Sequence, residues 1–291
     1  MKRRIVRRGL STVAVLAALF AVASWIVGGR LVAPALHVVG PPPDDLPVES
    51  VTIDSQSGSS LAGWYVPAEG ATATVVLLHP IRADRRAMLS RARLLHEAGY
   101  STLLVDLQAH GESPGEHITI GHLERHDARA AVEYVRRRTP EHKIGIVGRS
   151  LGGAAALLGS PLEVDAVVLE SVYPTIDEAV HDRMEMRFGP LHHVLAPALL
   201  VQLEPRLGIS TSDLRPIDHI ATVGCPVLVA AGDQDRHTTL AETERLHAEA
   251  SAPKQLVIFG GAGHNDLLKH DAAQYKDEIV GFLDEHLLGG R

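Results

Sequence analysis

Lys143-Ile144-Gly145-Ile146-Val147-Gly148-Arg149-Ser150-Leu151-Gly152-Gly153-Ala154-Ala155-Ala156-Leu157-Leu158 is the stretch on which the reading of this chain turns. Its first five residues have the pattern of a buried strand, and its last eight are small, apolar and helix-forming. Between them stands a Gly-x-Ser-x-Gly, Gly148 to Gly152. A serine on a sharp strand-to-helix turn is forced outward, where its hydroxyl can attack a substrate. The flanking glycines are needed because the turn is strained and the neighbouring backbones pass close.

A serine hydroxyl is a weak nucleophile near neutral pH. It needs a base to take its proton, and the base needs an acid to fix its tautomer. In a strand–elbow–helix architecture these follow in the order serine, acid, histidine. The chain supplies that order. The strand-like Val227 to Ala231 is followed by Gly232-Asp233-Gln234-Asp235, and Gln255 to Phe259 by Gly260-Gly261-Ala262-Gly263-His264-Asn265-Asp266. Both sets fall just past a strand, on the sheet edge that carries the elbow. Glu170, at the end of another strand, is an alternative acid.

Working outward, the body alternates apolar strand-like runs with longer helical ones. Further strands are expected at Ser50–Ile53, Leu61–Val66, Thr74–Leu78, Ser101–Val105 and Ala166–Leu169. Helices are expected at Asp84–Ala98, His122–Arg138, Leu240–Ala250 and Ala272–Leu287. Continuous apolar strands separated by helices imply an α/β fold, with a mostly parallel central sheet covered on both faces. Residues 173–212 break this rhythm and read as a short helical lid insertion over the carboxyl ends of the strands. The plainer reading is a set of surface helices that closes the core.

Charge is distributed unevenly. The formal net charge is −7, but six of the 28 basic residues precede Leu31, and every one of the 35 acids follows it. Residues 31–291 therefore carry 22 basic against 35 acidic side chains, a net of −13, which repels nucleic acid. The head is basic: Lys2, Arg3, Arg4, Arg7 and Arg8 precede an uncharged apolar span, Gly9 to Gly29. As a helix this span is roughly 30 Å long, the thickness of a bilayer core. The basic cluster places the amino terminus in the cytoplasm and the body outside, as a single-pass anchor in residues 1–30. Ala21-Val22-Ala23 resembles a cleavage site, which would make the span a secretory signal and the body free. Against cleavage, Trp25, Ile26 and Val27 continue the apolar run, and Trp25 suits an interfacial anchor. A buried soluble helix is the third reading. Residues 31–47, with Pro34, Pro41, Pro42, Pro43 and Pro47, read as a stiff linker to a catalytic domain at 48–291. The minimal anchor and the Ala- and Arg-rich composition point to a bacterial source.

The chain resembles the α/β-hydrolase superfamily, in particular its bacterial serine-hydrolase branch related to prolyl oligopeptidase-like and serine aminopeptidase-like domains. The likeness covers roughly residues 48–288. It rests on Leu77-Leu78-His79-Pro80, on Val105-Asp106 through His110-Gly111-Glu112-Ser113, on the elbow, on Gly232 through Asp235, and on Gly263-His264. The resemblance implies Ser150 as nucleophile, His264 as base and Asp235 as orienting acid, with Asp233 shaping the turn. It implies an oxyanion hole from the N–H groups of Leu151 and Ile81. Family members carry His-Gly where this chain has His79-Pro80, and proline has no N–H, so the second donor passes to Ile81. His79 is expected to brace that loop, and Asp106 to Ser113 to act as scaffolding.

The remaining clusters rank lower. His122 and His126, with Glu124 between them, read as a solvated helix face, and His192-His193 as surface histidines. Arg149 either touches substrate or pairs with an acid. Cys225 is the only cysteine; it excludes an intrachain disulfide and reads as core packing. No cofactor or metal is required. The expected activity is hydrolysis of carboxylic esters or amides through an acyl-enzyme, on a small acyl ester or peptide-like substrate. A serine peptidase and a non-catalytic hydrolase-fold binding protein are the alternatives.

Overall fold

The computed structural model describes residues 2–289, with the backbone alone for residues 2–9. The basic cluster Lys2 to Arg8 therefore has no described side chains. Helix α1, Lys2–Leu31, leads the chain. Its segment Leu10–Leu31 has mean hydropathy 2.3 over 22 residues and meets the body only near its end, where Gly28 is buried and Ser24 half-buried. Among the described residues, positions 10–23 and 25–27 are all exposed, which a helix buried in a soluble core would not allow.

The segment expected to be a stiff linker is packed onto the body instead. Val32, Val39 and Leu46 are buried. Strand β1, Ala35–Leu36, pairs in parallel with the short strand at His110–Gly111, here β6. The prolines hold the segment extended. An extended backbone with free N–H and C=O groups pairs readily with an exposed edge, while the interspersed valines and leucine fill the surface beneath.

The main sheet is built from β2 (Glu49–Asp54), β3 (Ser60–Val66), β4 (Ala73–Leu78), β5 (Ser101–Val105), β7 (Lys143–Arg149), β8 (Ala166–Glu170), β9 (Val227–Gly232) and β10 (Lys254–Phe259). Their spatial order is β10-β9-β8-β7-β4-β5-β3-β2. The pairs β2–β3 and β3–β5 are antiparallel and all the others parallel. All six residues of β4 are buried. Alternation along it divides the core: Val76 and Leu78 pack under α3 (Glu124–Arg138) and α4 (Leu151–Leu158), whereas Val75 and Leu77 face α2 (Leu89–Glu97) and the C-terminal helices. This is the covered, mostly parallel sheet that continuous apolar strands require.

Helix α3 begins later than its periodicity suggests. The buried Glu124 carboxylate accepts from the N–H groups of Thr119 and Gly121 and from the Thr119 hydroxyl. It ties down the loop before α3 and leaves His122 outside the helix. After β8 come α5 (Ile176–Phe188), α6 (His192–Leu200), α7 (Leu203–Leu207) and α8 (Ile217–Ile220). The first three form the helical insertion. Helix α9 (Leu240–Glu249) follows β9. After β10 the expected single helix is split into α10 (Leu267–His270), α11 (Ala272–Tyr275), a π-helical turn at Lys276–Val280 and α12 (Gly281–Leu287).

Candidate active site

The elbow joins β7 to α4. Ser150 sits there with φ +49° and ψ −111°, a backbone conformation that a side chain normally avoids. Two contacts hold it: the Ser150 N–H donates to the Glu170 carbonyl at 2.8 Å, and Ala154 N–H donates to the Ser150 carbonyl at 3.0 Å. The glycines are a consequence of crowding. A Cβ on Gly148 would lie 2.6 Å from the Gly153 backbone, and one on Gly152 would strike the Leu78 carbonyl of β4. The turn is over-determined from both neighbouring strands, which is how such strain persists.

Asp235 and His264 emerge from the loops after β9 and β10 and meet. His264 Nδ1 lies 2.8 Å from Asp235 Oδ2. The other oxygen, Oδ1, accepts from the N–H groups of His237 at 2.8 Å and Thr238 at 3.0 Å. Burial pushes the Asp235 carboxyl up, but the His264 bond and these two N–H groups outweigh it, so its pKa lies below the ordinary value. A charged carboxylate on Nδ1 fixes a tautomer with the proton there and leaves Nε2 free to accept. Asp233 does different work: its Oδ1 accepts from Gly261 N–H at 2.7 Å and ties the two loops together.

The Ser150 hydroxyl and the His264 ring are not hydrogen-bonded to each other in this structure.

Glu170 is committed elsewhere. Its carboxylate takes a two-point contact from the fully buried Arg91, at 2.9 and 2.5 Å, and a 2.6 Å bond from the Tyr275 hydroxyl. Arg91 also pairs with Asp266 at 3.0 Å, and Asp266 lies 3.8 Å from Arg149. Arg149 therefore pairs with an acid. This polar knot, two residues from His264 along the chain, supports the His264 loop from below.

On the other side of Ser150, the first N–H groups of α4, Leu151 included, have no intrahelical partner. Ile81 follows His79-Pro80 and is partly exposed. His79 Nδ1 donates to the Pro80 carbonyl at 2.8 Å, and its Nε2 accepts from Leu107 N–H at 3.0 Å. Burial pushes the His79 pKa down to about 3, so the ring is a neutral brace for the loop. Asp106 is likewise internal: it accepts from the N–H groups of Arg85 and Glu112 and pairs with the Arg85 guanidinium.

Sequence reasoning missed His237. Its ring stacks on His264 with centroids 4.8 Å apart. Burial, then the neighbouring His264, depress its pKa, so it stays neutral. Its place two residues after Asp235 was the available signal. Among the described residues, Asp235, His237 and His264 are close enough to share a cation. The Asp235 oxygens already take three donors: His264 Nδ1 and the N–H groups of His237 and Thr238. His192 and His193 touch each other, Nε2 to Nε2 at 3.1 Å, on the exposed α6. Cys225 packs against the core, and burial pushes its thiol up to about 12.

Comparison with known proteins agrees with this architecture. The serine aminopeptidase S33 hydrolase family matches residues 69–217. The chain belongs to that family. It is 32% identical over 246 residues to the Mycobacterium tuberculosis protein Rv2307c, covering 83% of this chain and 81% of that one. A Saccharomyces cerevisiae relative, the membrane protein YNL320W, is 25% identical over 271 residues, 90% of this chain and 87% of its own. Among solved structures, the Pyrococcus furiosus esterase Pf2001 superposes with TM-score 0.73 at 21% identity, covering 88% of this chain and 98% of that one. An esterase from Exiguobacterium antarcticum gives 0.59 at 16% identity, covering 80% and 99%. This S33-family chain is thus an α/β hydrolase in fold, and its elbow, its Asp235–His264 pair and its helical insertion occupy one edge of the hydrolase sheet.

Proposed function

We propose that this chain is a membrane-tethered serine hydrolase that cleaves carboxylic esters through an acyl-enzyme. The observation that carries the reading is the Asp235–His264 bond at the same sheet edge as a strained serine elbow. His264 Nε2 takes the Ser150 proton as Oγ attacks the acyl carbon. The oxyanion that forms is held by the N–H groups of Leu151 and Ile81. His264 then passes its proton to the leaving alkoxide, and the C–O bond breaks. Water, deprotonated by the same histidine, attacks the acyl-serine, the acid departs, and Ser150 regains its proton.

Ester cleavage is favoured over aminopeptidase action by charge. The cavity beside the site is bordered by Arg183, Arg187 and Arg206 and by no carboxylate among the described residues. A free amino terminus finds no counter-ion there. The two esterases that share the fold support the same choice by analogy. The tether is supported by the largely exposed apolar α1 and its basic head, and the charge bias favours an extracytoplasmic body.

A fluorophosphonate probe tests the reading. Wild type is labelled and Ser150→Ala is not, with turnover of p-nitrophenyl acetate falling by roughly a million-fold. Equal labelling of both proteins would overturn it, and labelling of neither would leave the fold as a binding module. Retention in the pellet after carbonate washing checks the tether; release of the intact body points to a cleaved signal.

A further inference from the structure

A cavity of about 210 Å³ lies between the end of α1 and the helical insertion. Gly28 and Leu31 of α1, Val180 of α5, Leu200 of α6, Leu203 of α7 and His237 are among the residues that line it. Two features set it apart from an ordinary surface hollow. His237 stacks on His264, so the cavity ends against the catalytic histidine. Another of its walls is the last turn of a helix that is apolar, largely exposed and long enough to cross a bilayer.

The contact between α1 and the insertion is built. Ser24 Oγ donates to the Ala198 carbonyl at 3.1 Å, and Gln202 Nε2 donates to Ser24 Oγ at 2.8 Å. Arg206 bonds the Trp25 carbonyl and lies 3.7 Å above the Trp25 ring. Arg82 bonds the Arg30 carbonyl, one of the acceptors left open at the helix end. The exposed face next to this junction is also apolar: Phe188, Leu191, Val194 and Val201 all stand in solvent. Exposed apolar residues clustered beside a membrane helix suit contact with lipid.

We infer that this cavity is the acyl-binding site and that it takes the single alkyl chain of an ester drawn from the membrane surface. The inference rests on the serine-hydrolase reading and names its substrate class. With α1 across the bilayer, its last turn lies at the lipid–water boundary. A chain can then pass from lipid into the cavity without crossing water. The volume is below the ~300–1,000 Å³ of pockets that hold drug-sized ligands, so it suits one chain better than two. The arginines at its border disfavour a cationic head group and accept an uncharged or anionic one.

The test uses the full-length protein in phosphatidylcholine vesicles with p-nitrophenyl acetate, butyrate and octanoate. Each buried methylene is worth about fourfold in affinity, so wild type prefers octanoate over acetate in kcat/KM by at least about tenfold. Val180→Trp fills the cavity and lowers the octanoate-to-acetate ratio about tenfold through KM. Val180→Ala, which carries no risk of overpacking, moves the preference toward longer chains. Gly28→Leu lowers the same ratio from the α1 side; its first neighbour is the flexible end of Gln202, which can move away. Equal effects of these changes on acetate and octanoate, or no octanoate preference in wild type, would overturn the pocket while the hydrolase reading stands. Absence of both acetate turnover and Ser150-dependent labelling removes the hydrolase reading and the pocket together.

Discussion

The elbow side of the site and the insertion side are built on opposite terms. Around Ser150, every residue of α4 is buried, the glycines touch neighbouring backbone, and Arg91, Glu170, Tyr275 and Asp266 close a polar network beneath. In α5 and α6 only Ile176, Ala179 and Ala196 are buried, and large apolar side chains stand in solvent. Transition-state chemistry needs groups held to fractions of an ångström, which close packing supplies. Selection of a flexible chain tolerates looser walls, and access to lipid requires that apolar surface stay open.

The comparison breaks most visibly at the His264–Asp235 pair. Asp235→Asn should lower kcat about 10⁴-fold by stabilising the wrong His264 tautomer, with the fold unchanged by circular dichroism. Asp233→Asn should stay within a few-fold, since an amide oxygen can still accept from Gly261 N–H. Steady-state kinetics on acetate separate the two, and similar losses in both would mean the loops matter only as scaffold.

Next in size is the elbow itself. Gly152→Ala drives a methyl into the Leu78 carbonyl, and urea unfolding should show a loss of about 3 kcal/mol. A loss below about 1 kcal/mol would show the elbow to be as yielding as the insertion.

A smaller effect sharpens how the insertion is docked. Asp182 of α5 faces Glu242 at the start of α9; burial, then the Glu242 charge, push its pKa up to about 7. Folded, Asp182 keeps its proton through a window in which the unfolded chain, ionising near ~4, has lost it. Stability therefore falls as pH rises from ~4 to about 7. Asp182→Asn removes this dependence. Thermal unfolding should show it more stable than wild type at pH 8, by about 1 kcal/mol after solvent screening, and equal to it below pH ~4. A constant offset at all pH values would exclude the carboxyl pair as the cause.

The smallest effect belongs to the exposed face. Val194→Ser should change stability by no more than about 0.5 kcal/mol. Octanoate turnover in vesicles should drop severalfold while turnover in detergent micelles holds. Equal rates in the two media would detach this face from lipid.

Much of this was legible before any coordinates. The strands Ser101–Val105 and the helix Leu151–Leu158 run as their patterns indicate, because continuous burial and a glycine-flanked serine are local signals. The order serine, aspartate, histidine pointed to loops whose Asp235 and His264 side chains meet. The segment 31–47 misled, since proline marks a stiff chain as readily as a docked edge strand, and only its partner at His110–Gly111 distinguishes them. Glu170 also stood open as an acid until Arg91 and Tyr275 were seen to claim it.

By itself the sequence determined the α/β alternation, the strand–serine–helix turn and the apolar span behind a basic head, because each depends on neighbours within a few positions. Tertiary structure decided which aspartate meets His264, 29 residues away, and which glutamate Arg91 neutralises, 79 residues away. It also decided that α1 ends as a wall of the cavity, through a bond between Ser24 and Ala198 that spans 174 residues. Periodicity and turn chemistry are written in adjacent residues, whereas the partner of a side chain is set by where the packed sheet delivers distant loops.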